Sequence, residues 1–503
     1  MPRNLREVFS AWDDSFKLTS IPKIVVNDLH IDSRQVQAGD VFVAVPGKQS
    51  HGLGFVEKAI VNGASAVLCD LCEAQNIKNC TFPVILIPDL NKRLAELASR
   101  FYGVPGSDML LVAVTGTNGK TSVAHFIAQA WQLWRGNAGL IGTLGAGPLN
   151  NLNETSHTTP DIFEVYSRLA SLRAAGIGLT AMEVSSHALD QNRIGRLSFD
   201  VGIFTNLSHD HLDYHGDMQR YGLAKKRLFT EHKPRFAVLN VADKVGRQWQ
   251  GELSENTECL SYYGDSATDK EPVGGYPPAD IYASDVKSTD RGIGFYLHSP
   301  WGQAKIQSKL LGRFNLDNLL ATVAALGLLG MPFKQLCQAL ELVQPVIGRM
   351  QRIGTELDQP LVVIDYAHTP DALKQALLSL RPHTHGQLYC IFGCGGERDR
   401  SKRPLMAAVT EKYADQVFLT SDNPRSEDAL KIIDEISSGF SDPGAVRIEP
   451  DRAAAIRLAV YAADKQDIIL IAGKGHEQYQ QLGTERLPFD DAAEARLALG
   501  IAA

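Results

Sequence analysis

Gly116, Thr117, Asn118, Gly119, Lys120, Thr121 and Ser122 follow one another in an order that suits phosphate chemistry. The glycines let the backbone bend until successive N–H groups face a single anion, helped by the start of a helix. Lys120 adds a point charge, and the Thr121 hydroxyl suits a Mg²⁺ carried with the phosphates. The general phosphate-loop pattern has a Gly where this chain has Val114, so a plain Gly-rich turn is the competing reading. The position of Gly-Lys-Thr decides against it. Residues 110–114 read as a buried strand and 122–134 as the helix that follows, which is the junction this chemistry requires.

Further groups stand at the ends of other apolar runs. Glu183 closes the run 179–184, where a nucleotide-bound Mg²⁺ needs an oxygen ligand; without the phosphate loop it would read as a surface Glu. His211 lies among Ser208, His209, Asp210 and Asp213. No Cys or spaced fourth ligand there supports structural zinc, and His211 is assigned to Mg²⁺. Lys225 and Lys226 share a helical stretch with Tyr221, Leu228 and Phe229 on its apolar side. Such a lysine is either a solvated charge or a buried amine of depressed pKa near the phosphates, and the pattern alone leaves both open. In Asp422, Asn423, Pro424 and Arg425, a guanidinium and an amide at a strand end suit a bidentate grip on a carboxylate, although Asn-Pro is also a common turn. Arg398 and Glu477, at neighbouring strand ends, offer opposite charges to a zwitterion.

Three α/β segments must position these groups. Residues 1–107 predict a small N-terminal α/β domain, with strands at 40–45, 66–69 and 84–87, helices at 55–64 and 90–102, and a linker at 103–107. Residues 108–343 hold the phosphate loop, and strands at 140–141, 179–184, 201–205 and 236–241 alternate with helices at 162–175 and 218–231. That alternation predicts a parallel sheet with helices on both faces. Residues 262–301, rich in Gly, Pro, Asp and Ser, predict an antiparallel excursion of no legible function. Residues 344–503 are the most regular. Strands at 361–364, 388–392, 417–420 and 468–471 alternate with helices at 371–380, 402–413, 427–437 and 453–462. This is a Rossmann-like doubly wound pattern, whose ligands sit at the carboxyl ends of its strands. The polar clusters 365–368, 393–398, 422–425 and 473–477 follow those ends.

A chain of 503 residues is too long for one core. Its 44% hydrophobic and 21% charged residues are ordinary for a soluble globular protein. The net charge of -7 argues against nucleic acid or a membrane surface as a partner. No signal peptide or membrane-spanning run is expected. Seven cysteines without paired spacing fit a reducing cytoplasm; Cys390 and Cys394 form no CxxC pair and are expected to be small buried residues.

Residues 115–122, Thr158 with Thr159, 183–193, 206–213, 315–318, 365–368, 422–425 and 473–477 together resemble the Mur ligase family, in one order and over essentially the whole length. The resemblance implies ATP-dependent amide-bond synthesis. ATP, a co-substrate, would phosphorylate the D-Glu γ-carboxylate of UDP-MurNAc-L-Ala-D-Glu, and the amine of meso-diaminopimelate would attack the acyl phosphate. It further implies that Lys120, Glu183, His211 and a carbamylated Lys225 are catalytic, with Thr121, Glu183, His211 and Lys225 around Mg²⁺. Residues 116–122 with Asn315, Arg349, Asp365 and His368 would hold ATP. Ile31, Ser33, Lys48, Gln49, Ser50, His157, Thr158, Thr159, Ser185, Gln191 and Arg193 would hold the nucleotide-sugar peptide; relatives often carry Asn where this chain has His157. Arg398, Asp422, Asn423, Pro424, Arg425, Gly473 and Glu477 resemble the diaminopimelate site. The expected form is a cytoplasmic monomer. An L-lysine-adding ligase is the nearest rival, and Arg425 argues against it because lysine has no second carboxylate. A folylpolyglutamate-type synthetase would begin nearly at the phosphate loop, unlike a chain with Asp32, Ser33 and Arg34 well before it. A P-loop phosphotransferase and a non-catalytic nucleotide binder are the remaining readings.

Overall fold

A computed structural model describes every residue except 1, 11, 13–20, 48–49, 77–81, 104–107, 254–256, 265–278, 290–291, 355–357 and 502–503. Part of the expected linker 103–107 and of the excursion 262–301 thus lies outside the described residues. The chain forms two compact units, Met1–Leu239 with Asp243–Cys259, and Asn240–Ala242 with Leu260–Ala503.

The first unit opens with a parallel sheet of β1 (Leu29–His30), β2 (Val41–Ala44), β3 (Ala66–Asp70) and β4 (Val84–Ile87), paired in that order. Helix α1 (Leu90–Tyr102) turns Leu90, Leu97, Ala98 and Phe101 inward. A second sheet follows. It contains β5 (Leu110–Thr115), β6 (Ala138–Gly142), β7 (Gly145–Pro148), β8 (Leu179–Glu183), β9 (Val201–Phe204) and β10 (Phe236–Asn240), in the order β10-β9-β5-β8-β6-β7. All pairs are parallel except β6 with β7. Helices α2 (Lys120–Arg135), α3 (Ile162–Ala174), α4 (Ser186–Asp190) and α5 (Met218–Thr230) connect them. The strands read as unbroken apolar runs because Val112, Ala113, Val114, Ala181, Met182 and Ile203 are all fully buried. Register levels the strand ends: Glu183 pairs with Val114 and Phe204 with Thr115.

In the second unit, β11 (Glu258–Tyr263) runs parallel to β12 (Ile281–Thr289), and β12, β13 (Gly292–Ser299) and β14 (Gly302–Ser308) form an antiparallel meander. The expected antiparallel excursion is real and runs on to Ser308. Its last strand escaped the sequence reading because only Ile306 and Ser308 of β14 are buried. Helix α6 (Phe314–Leu328), buried along most of its length, follows. The next sheet has the order β15-β16-β20-β17-β18-β19. Its strands are β15 (Gln351–Ile353), β16 (Leu361–Asp365), β17 (Leu388–Phe392), β18 (Gln416–Leu419), β19 (Arg447–Ile448) and β20 (Ile468–Ala472). Only β15 is antiparallel to its neighbour.

Helices α7 (Pro370–Leu380), α8 (Lys402–Tyr413) and α9 (Ala429–Ser437) cover one face of this sheet with Leu373, Leu377, Met406, Ile432 and Ile436. Helices α10 (Arg452–Ala462) and α11 (Asp491–Ala498) cover the other with Ala455, Ile456, Ala459 and Ala495. This is the doubly wound arrangement the alternation predicts. The sequence reading did not foresee β7, β15, α11 or the hairpin of β21 (Tyr479–Leu482) and β22 (Glu485–Pro488). Cys390 and Cys394 are buried, as expected. Among the described residues no helix is long and apolar enough to cross a membrane.

Candidate active site

The first cluster belongs to the first unit, where β5 stops at Thr115 and α2 starts at Lys120. Gly116 (φ +148°) and Gly119 (φ +85°) make the turn, and a Cβ on Gly116 would lie 1.9 Å from Thr205 Oγ1. Conformation and space both demand glycine at 116. The residues after β9 hold the loop in place. Thr117 N–H donates to Asn206 O (2.8 Å), Asn118 N–H to Asn206 Oδ1 (2.9 Å), and Thr205 Oγ1 to Asn118 O (2.6 Å).

Two amines converge on one carbonyl. Lys120 Nζ donates to Gly116 O and Thr117 O at 2.9 Å each, and Lys225 Nζ donates to Gly116 O at 2.8 Å. Lys225 is 1% exposed and sits over the Tyr221 ring. Burial first, and the Lys120 charge second, push its pKa well below the ordinary lysine range. Lys226 is ion-paired with Glu252. Of the two alternatives for this pair, Lys225 takes the buried amine, while Lys226, half-buried, is held by its ion pair.

Glu183 is 1% exposed, which overturns the surface reading of it. Its Oε2 accepts from Thr121 Oγ1 (2.9 Å) and Thr143 Oγ1 (3.1 Å), and its Oε1 from Thr143 N–H (2.7 Å). The threonine hydroxyl and the carboxylate are hard oxygen donors of the kind Mg²⁺ takes. His211, at φ +53°, lays its ring against His187 and Tyr221; burial lowers its pKa. Burial, followed by His211 and His215, pushes the neighbouring His187 down to about 4, so this face carries neutral imidazoles at pH 7. Among the described residues no three His, Cys, Asp or Glu side chains gather as a metal cage. A few protein oxygens suit an ion that keeps waters and phosphate oxygens in its shell.

The same carboxylate is continuous with the group expected to hold the nucleotide-sugar peptide. Thr158 Oγ1 lies 3.1 Å from Thr143 Oγ1, and Thr159 Oγ1 donates to Glu183 O (2.8 Å). Ser185 caps α4 and its N–H donates to Thr159 Oγ1 (3.0 Å). Arg193 Nη1 donates to Thr159 O (2.9 Å), and its Nε to Gln191 Oε1 (2.9 Å). Gln191 Nε2 in turn donates to Tyr214 OH (2.8 Å). His157 contacts Ser156 Oγ and has a pKa lowered by burial. Ile31 and Ser33 follow β1, which packs on α3, and Ser33 is buried while Ser50 is exposed. Lys48 and Gln49 lie outside the described residues.

The second cluster belongs to the second unit. Asp365, at the end of β16, accepts the Met350 N–H (2.9 Å), and burial raises its pKa against the opposing pull of Arg349. The Arg349 guanidinium lies over the Tyr366 ring, and its Nε has no hydrogen-bond partner among the described residues. His368 Nδ1 contacts Tyr366 O (2.8 Å). Asn315 spends its amide inside its own segment, donating to Leu311 O (2.8 Å) and accepting from Asn318 Nδ2 (3.0 Å). The expected grouping thus forms for Arg349, Asp365 and His368, whereas among the described residues no hydrogen bond ties Asn315 to them.

At the neighbouring strand ends, Asn423 Nδ2 donates to Glu477 Oε2 (2.7 Å) while Asn423 Oδ1 accepts from Lys474 Nζ (2.9 Å) and Gln481 N–H (2.9 Å). Those two donors fix which end of the amide faces Glu477. Burial raises the Glu477 pKa, Asp422 adds to it, and Lys474 and Arg425 oppose. Gly473 (φ +115°) leaves room for Asp422, whose Oδ2 would be 2.6 Å from a Cβ there. Arg425 (φ +52°) donates from Nη1 to Gly396 O (2.6 Å), Pro424 carries the turn, and Arg398 is exposed. The turn reading and the binding reading of 422–425 are thus compatible. Sequence reasoning missed Thr143, Tyr221, Lys474 and Gln481. Lys474, inside the 473–477 cluster, and Tyr221, on the apolar side of the Lys225 helix, were the two with a signal.

Known proteins resemble the whole chain. A family model described as "Mur ligase middle domain" matches residues 114–326, one described as "Mur ligase, glutamate ligase domain" matches 348–475, and one described as "Mur ligase family, catalytic domain" matches 25–102. A Pseudomonas aeruginosa protein named "UDP-N-acetylmuramoyl-L-alanyl-D-glutamate--2,6-diaminopimelate ligase" is 44% identical, covering 99% of this chain and 98% of its own. A protein of the same name from Xanthomonas campestris pv. campestris is 46% identical, covering 95% and 94%. A solved structure bearing that name superposes with a TM-score of 0.68 at 34% identity, covering 99% of each chain.

Proposed function

The chain belongs to the Mur ligase family, and from that premise we propose that it joins meso-diaminopimelate to the D-Glu γ-carboxylate of UDP-MurNAc-L-Ala-D-Glu at the expense of ATP, a step of peptidoglycan precursor synthesis. The observation that carries this reading is the 44–46% identity, over nearly the full length, to ligases of that name. The γ-phosphoryl group of ATP passes to the carboxylate oxygen, giving an acyl phosphate and ADP. The amine then attacks the acyl carbon, phosphate leaves, and the nitrogen loses a proton as the amide forms.

The residues of this chain mainly position reactants and neutralise charge. The phosphate loop 116–122 cradles the ATP phosphates with backbone N–H groups, and Lys120 leaves its two loop carbonyls to meet the transferring phosphoryl group. Thr121, Glu183 and His211, with Lys225 as its carbamate, would hold Mg²⁺, which when bound would offset phosphoryl charge. The burial of Lys225 and the downward shift of its pKa support its carbamylation, because an uncharged amine is the form that takes up CO₂. Arg349, Asp365, His368 and Asn315 are likewise assigned to the nucleotide. Thr158, Thr159, Ser185, Gln191 and Arg193, with His157 and with Ile31, Ser33 and the loop of Lys48, Gln49 and Ser50, hold the nucleotide-sugar peptide beside Glu183. Glu477 meets the distal ammonium of the amino acid, and Arg425 with Arg398 its carboxylate, framed by Asp422, Asn423, Pro424 and Gly473. We assign residues 1–107, 108–343 and 344–503 to nucleotide-sugar peptide, ATP and amino acid respectively. The enzyme acts as a cytoplasmic monomer on small molecules, with neither nucleic acid nor membrane as a partner.

Phosphate release from ATP with UDP-MurNAc-L-Ala-D-Glu tests the reading, comparing meso-diaminopimelate, L-lysine and no amino acid. Release only with meso-diaminopimelate is expected. Release with lysine instead would keep the chemistry and reject the role of Arg425, and ADP formed without amine and without free phosphate would point to a phosphotransferase, whose phosphate stays on the acceptor.

A further inference from the structure

Arg403 is fully buried at the start of α8, outside every group of residues described so far. A guanidinium out of water is tolerated only when paired and hydrogen-bonded, and its partners show what it does. Nη1 donates to Glu427 Oε2 (2.9 Å) and Nη2 to Glu427 Oε1 (3.0 Å), a two-pronged grip. Nη1 also donates to Glu435 Oε2 on α9 (2.6 Å), and Nη2 points at Gly395 O (3.5 Å).

Glu427 lies two residues past Arg425 and closes that turn, with its N–H on Pro424 O (3.0 Å). Its Oε1 also accepts the Glu397 N–H, from the loop that carries Arg398. One carboxylate therefore ties both amino-acid loops to one buried arginine. The loops interlock further: Gly396 N–H donates to Asn423 O (2.9 Å) and Arg425 Nη1 to Gly396 O (2.6 Å). A Cβ on Gly396 would fall 2.0 Å from Pro424 O, so the loops touch where only glycine fits. Arg425 itself is held at φ +52°, a conformation that persists in a bulky residue only where its surroundings over-determine it.

We infer that Arg403 is the positioning residue that sets amino-acid selectivity, by clamping the turn of Arg425 to the loop of Arg398 through Glu427. This rests on the assignment of those two loops to the incoming amino acid. A lysine at 403 keeps the charge and loses the fork, since an ammonium cannot span both Glu427 oxygens with fixed geometry.

The test is steady-state kinetics of Arg403→Lys and Glu427→Gln in the full chain, varying each of the three substrates, alongside thermal unfolding. The KM for meso-diaminopimelate should rise about tenfold or more, because misplacing a bound group by about 1 Å costs up to about 10²-fold. The KM for ATP should stay within about twofold, and the preference for meso-diaminopimelate over L-lysine should shrink by a similar factor to the rise. An unchanged KM and preference with a lowered Tm would reduce Arg403 to a brace between α8 and α9 and overturn the inference. A parallel rise in all three KM values would do the same. If Arg403→Lys does not fold, Glu427→Gln carries the test, since the Glu427 side chain is 26% exposed. A wild-type enzyme with no release on meso-diaminopimelate would reject the underlying assignment instead, which the variants cannot mimic.

Discussion

Two lysines that share the Gly116 carbonyl have opposite consequences for the protein. Lys120 folds back onto its own loop, at the half-buried start of α2, whereas Lys225 is sealed beneath it. Lys120→Ala should therefore lower kcat by on the order of 10³ or more and shift stability by only about 0.5 kcal/mol. Phosphate release and a urea melt read the two quantities separately, and near-normal turnover would remove the phosphate-loop assignment. Asp317 in α6 is a different kind of residue, because its buried Oδ1 has no hydrogen-bond partner among the described residues. Burial raises its pKa from 3.8 to about 6. The folded state thus holds the proton longer than the unfolded state, so this group's contribution is fully present below pH 3.8 and is lost as pH rises through 6. Asp317→Asn should stabilise the protein by up to about 3 kcal/mol above pH 6 and leave it unchanged below pH 3.8; an equal effect at both ends in urea titrations would contradict the burial argument. The phosphate loop was legible because its chemistry lies in consecutive residues. Thr143 was not, since its bond to Glu183 spans 40 positions.

Among elements, α10 and α11 are joined by a fully buried ion pair. Arg452 Nε and Nη2 donate to the two oxygens of Asp491 (2.7 Å each), and Arg452 also donates to Ala472 O (3.0 Å) and Ser421 O (3.3 Å). Those carbonyls precede Gly473 and Asp422, so the pair secures the strand ends from which the clusters 422–425 and 473–477 begin. Asp491→Asn strands a buried charge and should cost about 3–5 kcal/mol, whereas replacing both partners with apolar residues should cost less than either single change. Chemical denaturation of the three variants checks the order. The strands β16, β17 and β20 were legible because both faces are buried and the sequence is a continuous apolar run. The hairpin of β21 and β22 was not: its residues are exposed or half-buried, and what fixes it is contact with a distant loop. Helix α11 hid behind its alanines, which bury well but draw no strong stripe.

For the molecule as a whole, the order of strands and helices was written in local patterns, and the two clusters fell at strand ends as a doubly wound topology requires. The proposed assignment of residues to the nucleotide-sugar peptide came from resemblance, since threonines, a serine and a glutamine in turns have no periodicity to mark them. One consequence concerns time. Arg425 N–H donates to Gln481 O (3.1 Å), Gly483 N–H to Arg425 O (2.7 Å), and Gln481 N–H to Asn423 Oδ1 across 58 positions. A ribosome adding about 5–20 residues per second takes roughly 3–12 s to cross that interval. A nascent chain therefore carries Asn423 and Arg425 for that long before the edge that pairs with them exists, so on the proposed assignment of this turn the amino-acid site is completed late in synthesis.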